Sequence, residues 1–166
     1  MTGALHRVSQ FWRHASARVE ADERAMAEAI LGPALGPVFF ELPVNDQRHG
    51  LDVLTTVRRL EPSPSRLLQQ AALVHDSGKG GVHFSIIDRS LSVFLEAASP
   101  RLLQVMLHAR PAFARRYAVY KNHAQLGATR LQALGAADLA AVVAEHHASQ
   151  PVLDVTRRLQ AADRRN

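Results

Sequence analysis

The sequence predicts an all-α fold. No segment carries a sustained alternation of apolar and polar residues, the signature of a half-buried strand. Helix start and stop signals instead recur along the chain, separated by short connections. Within the segments they bound, apolar residues fall at spacings of three, four and seven, the stripe of a helix that packs on one side.

In chain order, Asp22 is placed to cap a helix over residues 23–31. Pro33 opens a short apolar segment that ends near Leu42, and Asn45 is placed to cap a helix reaching about Leu60. Ser63 followed by Pro64 is a cap with proline at the first helical position, and that helix should run to about Asp76. Ser99-Pro100 repeats the signal. Gly78 and Gly135 sit where left-handed C-terminal glycines belong. Further helices are expected over 86–97, 121–134, 137–147 and 152–165. No internal repeat or low-complexity segment interrupts the series.

Composition narrows the chemistry. The chain has 166 residues, 47% of them hydrophobic and 21% charged, which suits one globular domain with a real core. It has no cysteine, so disulfides, thiolate metal sites and cysteine nucleophiles are excluded. Any metal must be held by imidazole and carboxylate, a donor set suited to Mn, Fe, Co, Ni, Zn or Mg. The formal net charge is +5, and Lys79 and Lys121 are the two lysines among 20 basic residues. That balance favours anionic partners, with the arginines scattered as a solvated surface. No interleaved aromatic and basic pattern marks a nucleic-acid module; Phe11 and Trp12 read as core. Arginines at 7, 13 and 18 interrupt the N-terminus as a signal peptide, and the longest uncharged run, 29–40, is too short to span a bilayer. The expectation is a soluble, cytoplasmic protein with no membrane partner.

The histidines fall in register. His49 lies twelve residues before position 61 and His75 twelve after position 63, so an antiparallel hairpin brings them to the same end. His49 continues the stripe Val53, Val57, Leu60, and His75 continues Leu68, Ala71, Ala72. A second hairpin turns at Gly135, with His123 twelve residues before it and His146 eleven after. Asp163 follows Val152, Val155 and Leu159, so its carboxylate points inward too. An apolar stripe does not carry a carboxylate without a partner, because a buried unpaired charge is too costly. The set points to a buried divalent metal, one ion or two.

These residues resemble the HD-domain superfamily of metal-dependent phosphohydrolases. Its pattern is a histidine, a His-Asp pair and a distant aspartate on the helices of an α-bundle. His49, His75-Asp76 and Asp163 match it here, and Asp-Ser-Gly-Lys matches the extended form in which a lysine follows the pair. His123 and His146 match the two intermediate histidines that many members add. The match covers roughly residues 45–166, read as the HD-type domain. Residues 1–44 are read as an N-terminal helical extension packed on that core. The branch that hydrolyses cyclic di-GMP carries Gly-Tyr-Pro after its second His-His; here the chain reads His-His-Ala-Ser-Gln-Pro, which argues against that branch.

The resemblance implies that His49, His75, Asp76 and Asp163 hold a metal, with His123 and His146 holding a second ion or binding phosphate directly. Asp76 is placed to bridge two ions. Asp76 and Lys79 are the expected catalytic residues, Lys79 returning over the site from a left-handed Gly78 as a point charge for phosphate. His147 competes with His146; adjacent helical residues point about 100° apart, which favours His146 in the site and His147 at its rim. His6, His14 and His83 have no assigned role; His108 precedes Arg110-Pro111, read as a helix end, where an imidazole suits the helix dipole. The implied activity is hydrolysis of a nucleotide or other small phosphorylated molecule. The alternative is a catalytically weak metal- and nucleotide-binding sensor or scaffold.

Overall fold

The computed structural model of the chain describes residues 18–80 and 86–166, which places His6, Phe11, Trp12, His14 and His83 outside the described residues. The described chain is all-α. Its elements are α1 (Ala21–Phe40), α2 (Val44–Leu60), α3 (Arg66–Val74), a 3₁₀ turn (Ser77–Lys79), α4 (Ile86–Ala98), α5 (Pro100–Ala109), α6 (Pro111–Ala133), α7 (Ala137–Ala144) and α8 (Asp154–Asp163).

Several expected boundaries move, each for a local reason. The caps of the first two helices lie upstream of Asp22 and Asn45. Glu20 precedes α1, and its backbone N–H donates to the Glu23 carboxylate at 3.1 Å. Pro43 precedes α2, so Asn45 lies inside the first turn. The two segments expected around Pro33 form one element kinked at Gly32 (φ 72°, ψ 179°). Proline disfavours the helical conformation in the residue before it, and glycine reaches positive φ without strain. The Ile30 carbonyl beside the kink accepts from the side chains of Arg66 and Gln70 at 3.2 and 3.1 Å.

The helix expected at Ser63-Pro64 starts two residues later. Ser65 is extended and its hydroxyl accepts from the Leu68 N–H at 3.2 Å. Ser99-Pro100 does open α5, and Gly135 is left-handed at the end of α6 (φ 76°). Arg110-Pro111, read as a helix end, is also a start. Pro111 is the first residue of a 23-residue helix that absorbs the expected 121–134 segment. The last two helices are shorter than expected, ending at Ala144 and starting at Asp154.

One core joins α1, α2, α3, α6, α7 and α8. Phe39, Leu51, Leu54, Leu68, Leu73, Leu131, Val142 and Leu159 are among its fully buried side chains. Within the stretch 1–44, Ala27, Leu31, Leu35, Val38 and Phe39 of α1 all contribute to it. A second, small core of Leu95, Leu103 and Phe113 joins α4 and α5 to the start of α6, forming an arm. No helix among the described residues is long and apolar enough to cross a membrane.

Two backbone contacts set the spacing of the main bundle. A Cβ on Gly50 would lie 2.8 Å from the Leu73 carbonyl oxygen, so α2 and α3 cross in near-contact. A Cβ on Gly78 would lie 1.8 Å from the His123 carbonyl oxygen, so the 3₁₀ turn rests directly on α6. Gly78 is therefore not the left-handed stop that the sequence suggests; among the described residues, those with positive φ are Gly32 and Gly135. Its role is close approach.

Gly78→Ala should destabilise the fold by more than the about 1–3 kcal/mol typical of overpacking, because the obstructing atom is backbone. Ser77→Ala should leave stability within about 0.5 kcal/mol of wild type. The Ser77 hydroxyl is buried without a hydrogen-bond partner, and deleting an unsatisfied group removes no bond. Chemical denaturation of both variants checks the pair; equal losses would contradict the backbone contact.

Candidate metal centre

The buried ionisable side chains gather at one end of the bundle. The α2–α3 crossing brings the rings of His49 and His75 to 5.2 Å between centroids. The α6–α7 hairpin does the same for His123 and His146 at 5.3 Å. His75 and His146 join the two pairs at 5.4 Å. The register expected from twelve- and eleven-residue offsets holds in both hairpins.

Asp76 lies at the centre, 6% exposed. Its Oδ2 faces His49 Nε2 at 4.0 Å and His75 Nε2 at 3.7 Å. Its Oδ1 faces His123 Nε2 at 3.2 Å and His146 Nε2 at 3.8 Å. Asp163 stands beside the first pair, with Oδ1 3.0 Å from His49 Nε2 and 3.9 Å from His75 Nε2. Lys79 donates from Nζ to Asp76 Oδ2. The 3₁₀ turn that follows Asp76 carries the lysine back three residues, in place of the expected left-handed glycine.

The histidine tautomers follow from the backbone. His75, His123 and His146 each set Nδ1 against the carbonyl three residues earlier: Ala72 at 3.1 Å, Tyr120 at 2.7 Å and Val143 at 2.6 Å. A carbonyl only accepts, so each Nδ1 carries a proton, and a ring without a second proton presents a bare Nε2 lone pair. Three lone pairs then converge on a carboxylate that also has no proton to give. His146 Nε2 is buried without a hydrogen-bond partner. Like-polarity atoms in this arrangement call for a cation between them.

His147 also reaches the cluster, although it is exposed. Its Nε2 lies 2.9 Å from His123 Nε2. α7 ends at Ala144 and residues 145–147 form a turn, so helical spacing does not separate the two adjacent rings, and the exposed His147 still touches the site. That turn is pinned from α8 by Gln160 Nε2, which donates to the carbonyls of His146 and Ala148 at 3.0 and 2.8 Å. The Glu145 carboxylate accepts from the Val152 and Leu153 backbones at 3.0 and 2.8 Å. The His-His dipeptide was the available signal.

Protonation follows burial and charge. Burial, helped by the charges of His49 and Lys79, holds the His75 pKa below its ordinary value. Burial takes His146 down to about 3. His147 is also lowered, by partial desolvation and by His123. His49 goes the other way. Burial disfavours its charge, but the hydrogen bond to Asp163 and the charges of Asp76 and Asp163 outweigh it. Burial likewise opposes ionisation of Asp76, yet the positive charges of His75, Lys79 and His49 hold its pKa well below the carboxylate range. Asp163 is lowered against its own burial by its bond to His49.

Neutral imidazoles beside ionised carboxylates are the protonation states that a divalent metal requires. Ligands about 2.1 Å from one ion sit about 3.0–3.4 Å apart. The 3.2–4.0 Å separations around Asp76 need only slight contraction to reach that spacing. Two groups each bring their donor atoms within 4.8 Å of one another: His49, His75 and Asp76, and Asp76, His123, His146 and His147. The buried His/Asp cluster could hold a metal ion, and Asp76 is common to both groups. No protein-family model, curated protein or solved structure matches this chain.

With His49 in the ligand set, metal uptake releases its proton. The His49 pKa lies above the ordinary 6.5, so metal affinity should fall as pH drops through that raised value, by at most about tenfold per pH unit for one proton. His75 and His146 are neutral across this window and should add nothing. Calorimetry with manganese or zinc in buffers of different ionisation enthalpy reads the released proton. Flat affinity between about pH 6 and about pH 8, with no proton release, would remove His49 from the set.

Proposed function

We propose that this chain is a metal-dependent phosphohydrolase of the HD type, acting on a nucleotide or another small phosphorylated molecule. The observation that carries the reading is the Asp76 carboxylate between two pairs of histidines, three of them with Nε2 lone pairs turned inward by their own backbone. His49, His75, Asp76 and Asp163 would hold one ion, and His123, His146 and His147 would serve a second ion across Asp76. A bound ion of this class supplies Lewis-acid polarisation of a phosphoryl group.

The chain's own residues do the rest. The Nδ1 bonds of His75, His123 and His146 fix the rings before any ligand arrives, so little reorganisation is needed at the moment of reaction. Asp163 orients His49 through its 3.0 Å contact. Lys79 has no lone pair to give a metal. Its ammonium, held at the edge of the cluster by Asp76, is placed to meet the negative charge of a phosphoryl group. An anionic substrate also suits the net charge of +5.

The test begins with a panel of mono-, di-, tri- and cyclic nucleotides assayed for phosphate release with each of manganese, iron, cobalt, nickel, zinc and magnesium. Tight nucleotide binding by metal-loaded protein without turnover would favour the sensor reading instead. On a substrate so found, Lys79→Ala should retain or tighten metal binding, since it removes a cation beside a ligand carboxylate. It should lower kcat about a hundredfold if the ammonium acts in the transition state. His75→Ala and Asp76→Ala should lose metal and turnover together. A Lys79→Ala enzyme that raises KM alone would restrict the lysine to ground-state binding.

A further inference from the structure

The α4–α5 arm is built inside out. The described charges of α4 turn inward, onto α6. Asp88 meets Arg116 at 3.6 Å, and Glu96 meets Tyr117 at 2.5 Å and Lys121 at 3.2 Å. The exposed positions from Ser90 onward are Ser90, Leu91, Val93, Phe94, Ala97 and Ala98, with no charge among them. On α5, Leu102 and Val105 are exposed one turn apart. These two helices, of 13 and 10 residues, hold five of the eleven exposed large hydrophobic side chains among the described residues. Phe94 is 66% exposed and Val105 63%. Single exposed apolar residues are ordinary on a protein surface, but a concentration of this kind marks a contact surface.

The charge beside these residues selects the partner. Arg101, Arg110 and Arg115 are exposed on the arm and have no acidic partner among the described residues, while Asp88 and Glu96 are already engaged. A second copy of the chain would bring the same unpaired arginines against these. Nucleic acid would want exposed aromatic platforms, and the exposed large hydrophobic side chains here are aliphatic apart from Phe94. Aliphatic side chains beside unpaired arginines on short helices match an anionic bilayer surface, with apolar groups entering the acyl boundary and guanidinium groups at the phosphates. We propose that the α4–α5 arm is a peripheral docking surface for anionic lipid membranes. The sequence-based expectation of no membrane partner rested on the lack of a spanning segment, which does not bear on helices lying in the interface. The proposal is independent of the metal centre and of the activity assigned to it.

The test is flotation of the full chain with vesicles of phosphatidylcholine alone and of equal parts phosphatidylcholine and phosphatidylglycerol, at low and high salt. Binding is expected to the anionic vesicles only, weakened by salt, and reduced roughly tenfold or more by Phe94→Asp combined with Val105→Asp. Both side chains are exposed, so circular dichroism and metal uptake should be unchanged in that variant. Arg101→Gln with Arg110→Gln should weaken binding and flatten its salt dependence. No flotation with anionic vesicles at low salt would overturn the proposal. So would anionic binding indifferent to Phe94→Asp with Val105→Asp, which would leave only a diffuse basic charge. Self-association that this double variant abolishes, without flotation, would assign the surface to a second copy.

Discussion

A carboxylate cannot remain ionised in a protein interior unless its surroundings replace the water it lost. Asp76 sets that demand at the centre of this bundle, and much of the fold can be read as the answer to it. Four histidines from four places in the chain turn their Nε2 atoms toward it, and Lys79 folds back to meet it. Two near-contacts of backbone, at Gly50 and Gly78, bring α2, α3 and α6 close enough for those side chains to reach. The polar centre thus depends on how tightly the apolar bundle closes, and the bundle's spacing serves the polar centre.

Periodicity carried much of this arrangement. The all-α class, the two hairpins and the inward faces of His49, His75, His123, His146 and Asp163 follow from offsets that helical geometry converts into positions. What the sequence hid was mostly local. Ser63-Pro64 carries the start signal, yet the hydroxyl that caps the helix is that of Ser65, two residues on. Arg110-Pro111 serves as an end and a beginning at once, which a reading of one signal at a time misses. The turn at 145–147 is fastened by Gln160 from another helix, so the His-His dipeptide alone does not announce that His147 reaches His123. Gly78 carried the right signal for the wrong reason. A glycine after a helix suggests a left-handed stop, while the neighbour that forbids a side chain there lies 45 residues further on.

The molecule divides its charge by purpose. In the bundle, Asp76 with His75, His123 and His146 is buried at one end of the apolar core. In the arm the described acids also face inward, onto Arg116, Tyr117 and Lys121, but the buried apolar cluster there is small, formed by Leu95, Leu103 and Phe113, so little apolar surface is enclosed. A small enclosed core implies low local stability. Among the described residues, the arm is therefore the segment expected to open first when the protein is heated or exchanged into deuterium, well before the amides of α3 and α7.

Helix α6 belongs to both halves, and the place where it is gripped matters. The Gly78 contact falls at His123, near the middle of its 23 residues. Phe113, in the arm's core, lies about 15 Å along the axis on one side, and Leu131, in the main core, about 12 Å on the other. A rod clamped at its centre behaves as a lever, and the fulcrum of a lever is the point that travels least. A tilt of about 4° moves the arm end by about 1 Å and leaves His123 where it is. The same backbone contact that excludes a methyl group thus insulates the Nε2 atom from whatever the arm touches.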